Sequence, residues 1–285
     1  MRTESAWLET PDGIRMHVRA HEPDGAPGGV IAMIHGLGEH AGRYEHVARY
    51  FTARGYAFVC PDLRGHGKTA GKRGYAPSYD TMLADIDLVL GWTAKRHPGL
   101  PTCLYGHSMG GNLVLMRLFR GNLPAPIACA VAGSPWLSLH APPGAATVAV
   151  ARIASRLMPT FTAKNDLKVD DLTRSEAVRA ATREDPDYHR YIGARLFEEV
   201  TVAGKTLLDG KRPEAPVPLF VMVGTNDLVV SHEAVLAFID QCGGTCESKV
   251  WEDFYHELHN EPESEEVLGV VADFLTRRMP ASAGA

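Results

Sequence analysis

The 285-residue sequence has no uninterrupted apolar run near the ~20 residues that a bilayer-spanning helix needs. Its opening, MRTESAWLETPDG, lacks the charged-then-apolar layout of a secretory leader, so a cytoplasmic setting is expected. Basic residues are not in excess: 29 lysines and arginines face 34 acidic residues, for a net charge of −5, and no basic cluster stands out. That leaves no electrostatic footprint for nucleic acid. Cysteines are few, odd in number and scattered, at positions 60, 103, 129, 242 and 246. Three of them sit in apolar, strand-like runs, which favours buried thiols over a disulfide framework. Internal repeats, low-complexity tracts and metal-ligand spacings are also missing. The histidines of HELH are three apart, one short of the H-E-x-x-H zinc pattern, and GHGKT has Asp62 where a phosphate loop needs glycine. No metal or organic cofactor is expected, and nothing in the sequence selects an oligomeric state.

What is present is an ordinary globular composition, with 45% hydrophobic and 22% charged residues, enough for a sizeable core in one or two domains. Strand and helix patterns alternate. Residues 6–10 and 14–20 flank PDG, a hairpin signal that predicts an antiparallel edge. Apolar runs at 29–35, 56–60, 102–106, 127–133 and 218–224 read as strands, the continuous one at 29–35 as a strand buried on both faces, and the more polar stretch 247–253 reads as a further, late strand. Helical periodicity marks 44–54, 79–96, 112–119, 232–240 and a last helix to about Arg278, with Ser264 as its expected N-cap. The alternation predicts an α/β fold with a mostly parallel sheet covered by helices on both faces. From about 137 to 213 the rhythm breaks. Helical and loop patterns appear there without a convincing strand, which predicts a helical insertion into a core made of 1–136 and 214–285.

The stretch LYGHSMGGN carries the first chemical signal. Gly106, Gly110 and Gly111 surround Ser108 between a predicted strand and a predicted helix. A chain that reverses sharply there needs small neighbours, and it holds the serine hydroxyl up at the sheet's carboxyl edge, beside a helix N-terminus. A nucleophilic serine needs a base, and the base needs an orienting carboxylate. In this architecture the order along the chain is Ser, acid, His. Asp227, in GTNDLVV past a predicted strand, is the favoured acid, although an Asx turn would also suit it. Asp240 lies within a helix and Asp209 precedes the strand. For the base, DFYHELHNE offers His256 and His259. His256 is nearer the strand end, and the residues alone leave the choice open. HGLGEH after the strand at 29–35 has glycines that would turn backbone N–H groups toward a developing oxyanion, and Met109 would supply a second donor.

In order and spacing, HGLGEHAGRY, DLRGHGKT, GHSMGG, GTNDLVV and FYHELHNE resemble the monoacylglycerol lipase and lysophospholipase branch of the α/β-hydrolases, over roughly residues 16–278. The resemblance implies an α/β-hydrolase fold with Ser108 as nucleophile, Asp227 as acid and His256 as base. It implies oxyanion donors from the N–H groups of Leu37 and Met109, and a supporting polar network of Glu39, Arg43, His107 and His259. It makes the insertion a cap. One departure is Thr182, where the compared lipases carry tyrosine before Asp-Pro, with Tyr188 and Tyr191 downstream. The expected partner is a small-molecule ester, either of a single-chain lipid such as a monoacylglycerol or of a medium or short acyl chain. Thioester, peptide or carbon–carbon hydrolysis, or a non-hydrolytic receptor on the same fold, would use the same framework. Within the insertion, Val148, Val150, Ile153 and Leu157 lie among alanines with Arg152 and Arg156 one turn apart. Such a helix suits a cover over a lipophilic tunnel or a transient rest on an anionic membrane surface.

Overall fold

The computed structural model describes residues 1–210, 214–242 and 246–279. Ten strands and eight α-helices are present among them. An eight-stranded sheet runs in the order β1-β2-β4-β3-β5-β6-β9-β10. Its edge is the antiparallel hairpin β1 (Arg2–Glu9) and β2 (Arg15–Glu22), and β2 joins β4 (Tyr56–Pro61) antiparallel. From β4 onward all pairs are parallel: β3 (Gly29–Ile34), β5 (Thr102–His107), β6 (Cys129–Gly133), β9 (Leu219–Gly224) and β10 (Cys246–Trp251).

The continuous apolar runs have a direct use here. Neighbouring residues of one strand point to opposite faces, so both sets must be apolar when both faces are covered. Ala32, Ile34, Leu104, Ala130 and Val221 pack under α2 (Tyr79–Arg96), α3 (Met109–Phe119), α6 (Ala194–Leu208) and α7 (His232–Gln241). Ile31, Met33, Tyr105, Val131 and Phe220 pack under α1 (Glu45–Thr52) and α8 (Ser264–Arg278). Cys60, Cys103 and Cys129 are buried thiols within these strands.

Two expectations need correction. The segment between β6 and β9 contains strands: β7 (Thr162–Lys164) pairs antiparallel with β8 (Tyr191–Gly193), alongside α4 (Ala145–Leu157) and α5 (Glu176–Glu184). Three residues give barely one alternation of in and out, too little for periodicity to register. Ser264 is the first residue of α8, not its cap. Glu263 holds the N-cap position and makes no side-chain capping bond. The expected end of the insertion at 213 lies outside the described residues. Between β6 and β9, α6 buries Leu196, Val200, Ala203 and Leu207 in the same core as Leu113 and Phe238. A Cβ on its Gly204 would stand 2.2 Å from the Leu137 carbonyl oxygen.

Asp62, the residue that spoils the phosphate-loop spacing, fastens the loops at the sheet's carboxyl edge. Its carboxylate accepts from the Ala41 N–H (2.7 Å), the Lys68 N–H (2.8 Å) and His17 Nδ1 (2.9 Å). Gly67, at φ +50°, leaves room for it: a Cβ there would lie 2.4 Å from the carboxyl carbon. Burial pushes the Asp62 pKa up, yet His17 and the two amides outweigh it and hold the group down at about 2. A lowered carboxylate stabilises fully above its ordinary value, 3.8, and loses that contribution as pH falls through about 2. Asp62→Asn is therefore expected to unfold about 2 kcal/mol more easily at pH 7. In urea titrations the gap from wild type should close between pH 4 and 2; a gap that is absent at pH 7 would contradict this account.

Candidate active site

β5 ends at His107, and α3 starts at Met109. Ser108 alone makes the turn between them, at φ 54° and ψ −118°. A non-glycine residue in that conformation is strained and is tolerated only where its surroundings hold it. Here they do. The Ser108 N–H donates to the Gly133 carbonyl, and the Ser108 carbonyl accepts from Asn112 and Trp136, each at 3.0 Å. The flanking glycines are steric necessities. A Cβ on Gly106 would stand 2.3 Å from the Gly110 carbonyl oxygen, and one on Gly110 would stand 2.1 Å from that of Ile34.

The hydroxyl of Ser108 lies 2.9 Å from His256 Nε2, and His256 Nδ1 lies 2.8 Å from Asp227 Oδ2. All three residues are buried. Asp227 follows β9, and its other oxygen, Oδ1, accepts from the N–H groups of Val229 (2.8 Å) and Val230 (2.9 Å). One oxygen of Asp227 thus closes an Asx-type turn, and the other faces His256. Burial works against the charged form of His256, but Asp227 beside it wins, with smaller help from Glu257 and Glu39, and the imidazole pKa is raised above 6.5.

The loop after β3 runs directly alongside Ser108: a Cβ on Gly36 would stand 3.0 Å from the Ser108 Cβ and 2.7 Å from Glu39 Oε1. Leu37 follows Gly36 and is half-buried. Met109 is fully buried, and as the first residue of α3 its amide has no acceptor within the helix.

Glu39, Arg43, His107 and His259 gather behind the serine. The His107 ring lies 4.8 Å from both His256 and His259, and His259 stacks on Tyr44, also at 4.8 Å. Tyr44 donates its hydroxyl proton to Glu39 (2.7 Å), whose other oxygen lies 3.5 Å from His107 Nε2. Burial and the neighbouring Glu257 carboxylate push Glu39 up to about 7, against the pull of Arg43. Burial drives His107 and His259 well below 6.5, so both are neutral. Arg43 grips both oxygens of Glu257 (2.8 Å each) and donates to Thr182 Oγ1 (2.5 Å). Glu257 was not anticipated; it is 214 positions from Arg43, and no spacing signal links them. Thr182 thus ties the segment between β6 and β9 to this network, as do a His40–Asp185 contact (2.8 Å) and a bond from the His189 N–H to the Gly38 carbonyl (2.9 Å).

Val150 and Ile153 lie apart from this cluster, on α4, and are 65% and 58% exposed, with Leu157 and Met158 equally bare. α4 packs against α6, where Arg152 and Ser155 bind Glu198. Among the described residues, no group of three or more His, Cys, Asp and Glu side chains is placed to hold a metal ion. Among them, too, no helix is long and apolar enough to cross a membrane.

The family described as serine aminopeptidase, S33 matches residues 25–263. The monoacylglycerol lipase of Mycolicibacterium smegmatis is 31% identical over 94% of this chain and 95% of its own length. An uncharacterized abhydrolase domain-containing protein of Dictyostelium discoideum is 30% identical over 98% of this chain, which spans only 30% of that longer protein. The crystal structure of a monoacylglycerol lipase from Paleococcus ferrophilus is similar at a TM-score of 0.82 and 26% identity, over 92% of this chain and 99% of that one.

Proposed function

Because this chain belongs to the serine aminopeptidase S33 family of α/β-hydrolases, we propose that it hydrolyses carboxylic esters of single-chain lipids, monoacylglycerols foremost. The observation that carries the reading is the unbroken hydrogen-bonded line from Ser108 through His256 to Asp227, strung from a strained strand-to-helix turn. In the proposed reaction His256 Nε2 takes the hydroxyl proton as Ser108 Oγ attacks the ester carbonyl. Asp227 holds the imidazolium that forms. The N–H groups of Leu37 and Met109 receive the negative charge of the tetrahedral oxygen, a contribution of about 3 kcal/mol for each well-aimed donor. The alcohol leaves with the proton from His256. Water then opens the acyl-enzyme by the same route, returning Ser108 and releasing the fatty acid. Glu39, Arg43, His107 and His259 hold the back of the site without touching the ester.

The proposed setting is cytoplasmic, with residues 137–213 as a cap that shields the site and receives the acyl chain. The bare apolar face of α4, with Arg152 and Arg156 nearby, suits brief docking on an anionic lipid surface. The test is release of fatty acid from a panel of monoacylglycerols, beside acetate esters and aminoacyl anilides. Turnover confined to the anilides would sink the ester reading in favour of the peptidase activity named by the family description. The same panel tests the cap. The double variant Val150→Asp, Ile153→Asp is expected to raise KM for medium-chain monoacylglycerols about tenfold or more, from lost apolar burial alone. Acetate-ester kinetics and the melting temperature should hold, because both side chains are already exposed. Equal losses on long and short esters would show that these residues serve stability.

A further inference from the structure

Ser134 follows β6 and is fully buried, yet its φ is 41°, in the left-handed region that serine rarely occupies. Four bonds made at or beside it lead to three different parts of the site. Its N–H donates to the Met222 carbonyl (2.8 Å) on β9, the strand that delivers Asp227. The residue before it, Gly133, accepts the Ser108 N–H, and Trp136, two residues on, donates to the Ser108 carbonyl. Its hydroxyl donates to the backbone carbonyl of His256 at 2.9 Å. The same carbonyl accepts from Leu258 within its own loop at 3.2 Å. Pro135, forced round by the Ser134 turn, stands 3.1 Å from where a Cβ on Gly111 would lie, so the bend is wedged against the start of α3.

From this geometry we infer that Ser134 is a positioning residue that sets the distance between His256 and Ser108. The inference rests on the ester hydrolysis proposed above. His256 reaches Ser108 from a loop after β10, whereas the turn carrying Ser108 is built into β5 and α3. Nothing in the chain's local order fixes one against the other. The Ser134 hydroxyl does so from the β6 side: its own backbone is locked to β9, its neighbours Gly133 and Trp136 are locked to the serine turn, and its side chain holds the histidine loop. The unusual φ is part of the device, because it brings one residue to all three. Without the hydroxyl, the His256 carbonyl keeps only its bond within the loop. The imidazole then retreats from Ser108 while substrate binding is untouched.

The test uses Ser134→Ala and Ser134→Gly. Alanine removes the hydroxyl and leaves the backbone demand unchanged, whereas glycine removes the hydroxyl and relaxes the demand. Both are expected to lower kcat by about 10- to 100-fold, the scale of a small misplacement of a reacting group, with KM within about twofold of wild type. The rate of fluorophosphonate labelling of Ser108 should fall in parallel. If the alanine variant does not fold, the glycine variant alone decides. A glycine variant with wild-type kcat would overturn the inference, by showing that the backbone turn and not the hydroxyl matters. A loss confined to KM would overturn it as well. A wild-type protein that turns over no ester would instead sink the proposed function, so the two failures are told apart.

Discussion

Replacing Ser108 by alanine is expected to cut ester turnover on the order of 10⁶-fold, the scale on which removing a nucleophile disables a triad. The fold should survive the change. The Ser108 hydroxyl meets His256 Nε2 at 2.9 Å and makes no capping bond to α3, so its loss unseats no helix. Alanine also bears a Cβ and meets the same steric demand at φ 54° as serine does, held by the same three backbone bonds. Thermal melting should therefore match wild type within a degree or two, a small change by the usual relation between stability and melting temperature. A fluorophosphonate probe should label wild type and leave the variant unlabelled. Labelling that persists in Ser108→Ala would put the nucleophile elsewhere, whatever the residual turnover.

The second large effect separates two histidines three residues apart. His256→Ala should lose about 10⁴-fold or more in kcat, since a serine hydroxyl without its base is a poor nucleophile. His259→Ala should lose about tenfold, an estimate scaled to a small shift of the groups it supports. His259 stacks on Tyr44 and edges His107, and its neutral ring moves no proton in the proposed reaction. The pH profile carries the same distinction. His256 must be neutral to accept the proton, so kcat/KM should rise with pH through a midpoint above 6.5, the side to which Asp227 pulls it against burial. Asp227→Asn removes that pull, and the midpoint of the residual activity should move down. A reversed ranking of the two alanine variants, or a midpoint that stays put in Asp227→Asn, would reassign the base.

Ser108 could be read in the sequence because its signal is local. A strand, a crowded turn and a helix sit side by side, and Gly106 is required by a contact within that same turn, whereas Gly110 is required by the neighbouring β3. The long apolar strands were legible for a related reason, since burial on both faces forbids alternation. His256 against His259 was not settled by residues alone, because both sit in one irregular loop; the resemblance to a family chose between them. The Arg43–Glu257 pair and the Ser134 bridge were illegible because each joins segments more than a hundred positions apart, and pairing of that kind exists only in the folded chain. Ser134 gave a further obstacle, in that a left-handed φ is ordinarily flagged by glycine or asparagine. The role of Asp62 was hidden for the opposite reason. GHGKT is conspicuous, but its glycine at 67 makes room for a carboxylate inside the protein, not for a phosphate.

The attachment of the insertion is lopsided, and that bears on how such a protein diversifies. α4 meets the rest of the molecule largely through α6, whereas α6 itself is packed into the main core, with Gly204 tight against Leu137. Under the proposed cap role, drift in α4 or in the β7–β8 pair would alter the cover of the site without repacking the sheet. Drift in the buried face of α6 cannot. A graft that exchanges specificity between relatives therefore has its natural seam ahead of Ala194, with α6 retained by the recipient, and not at the end of the insertion as sequence patterning draws it.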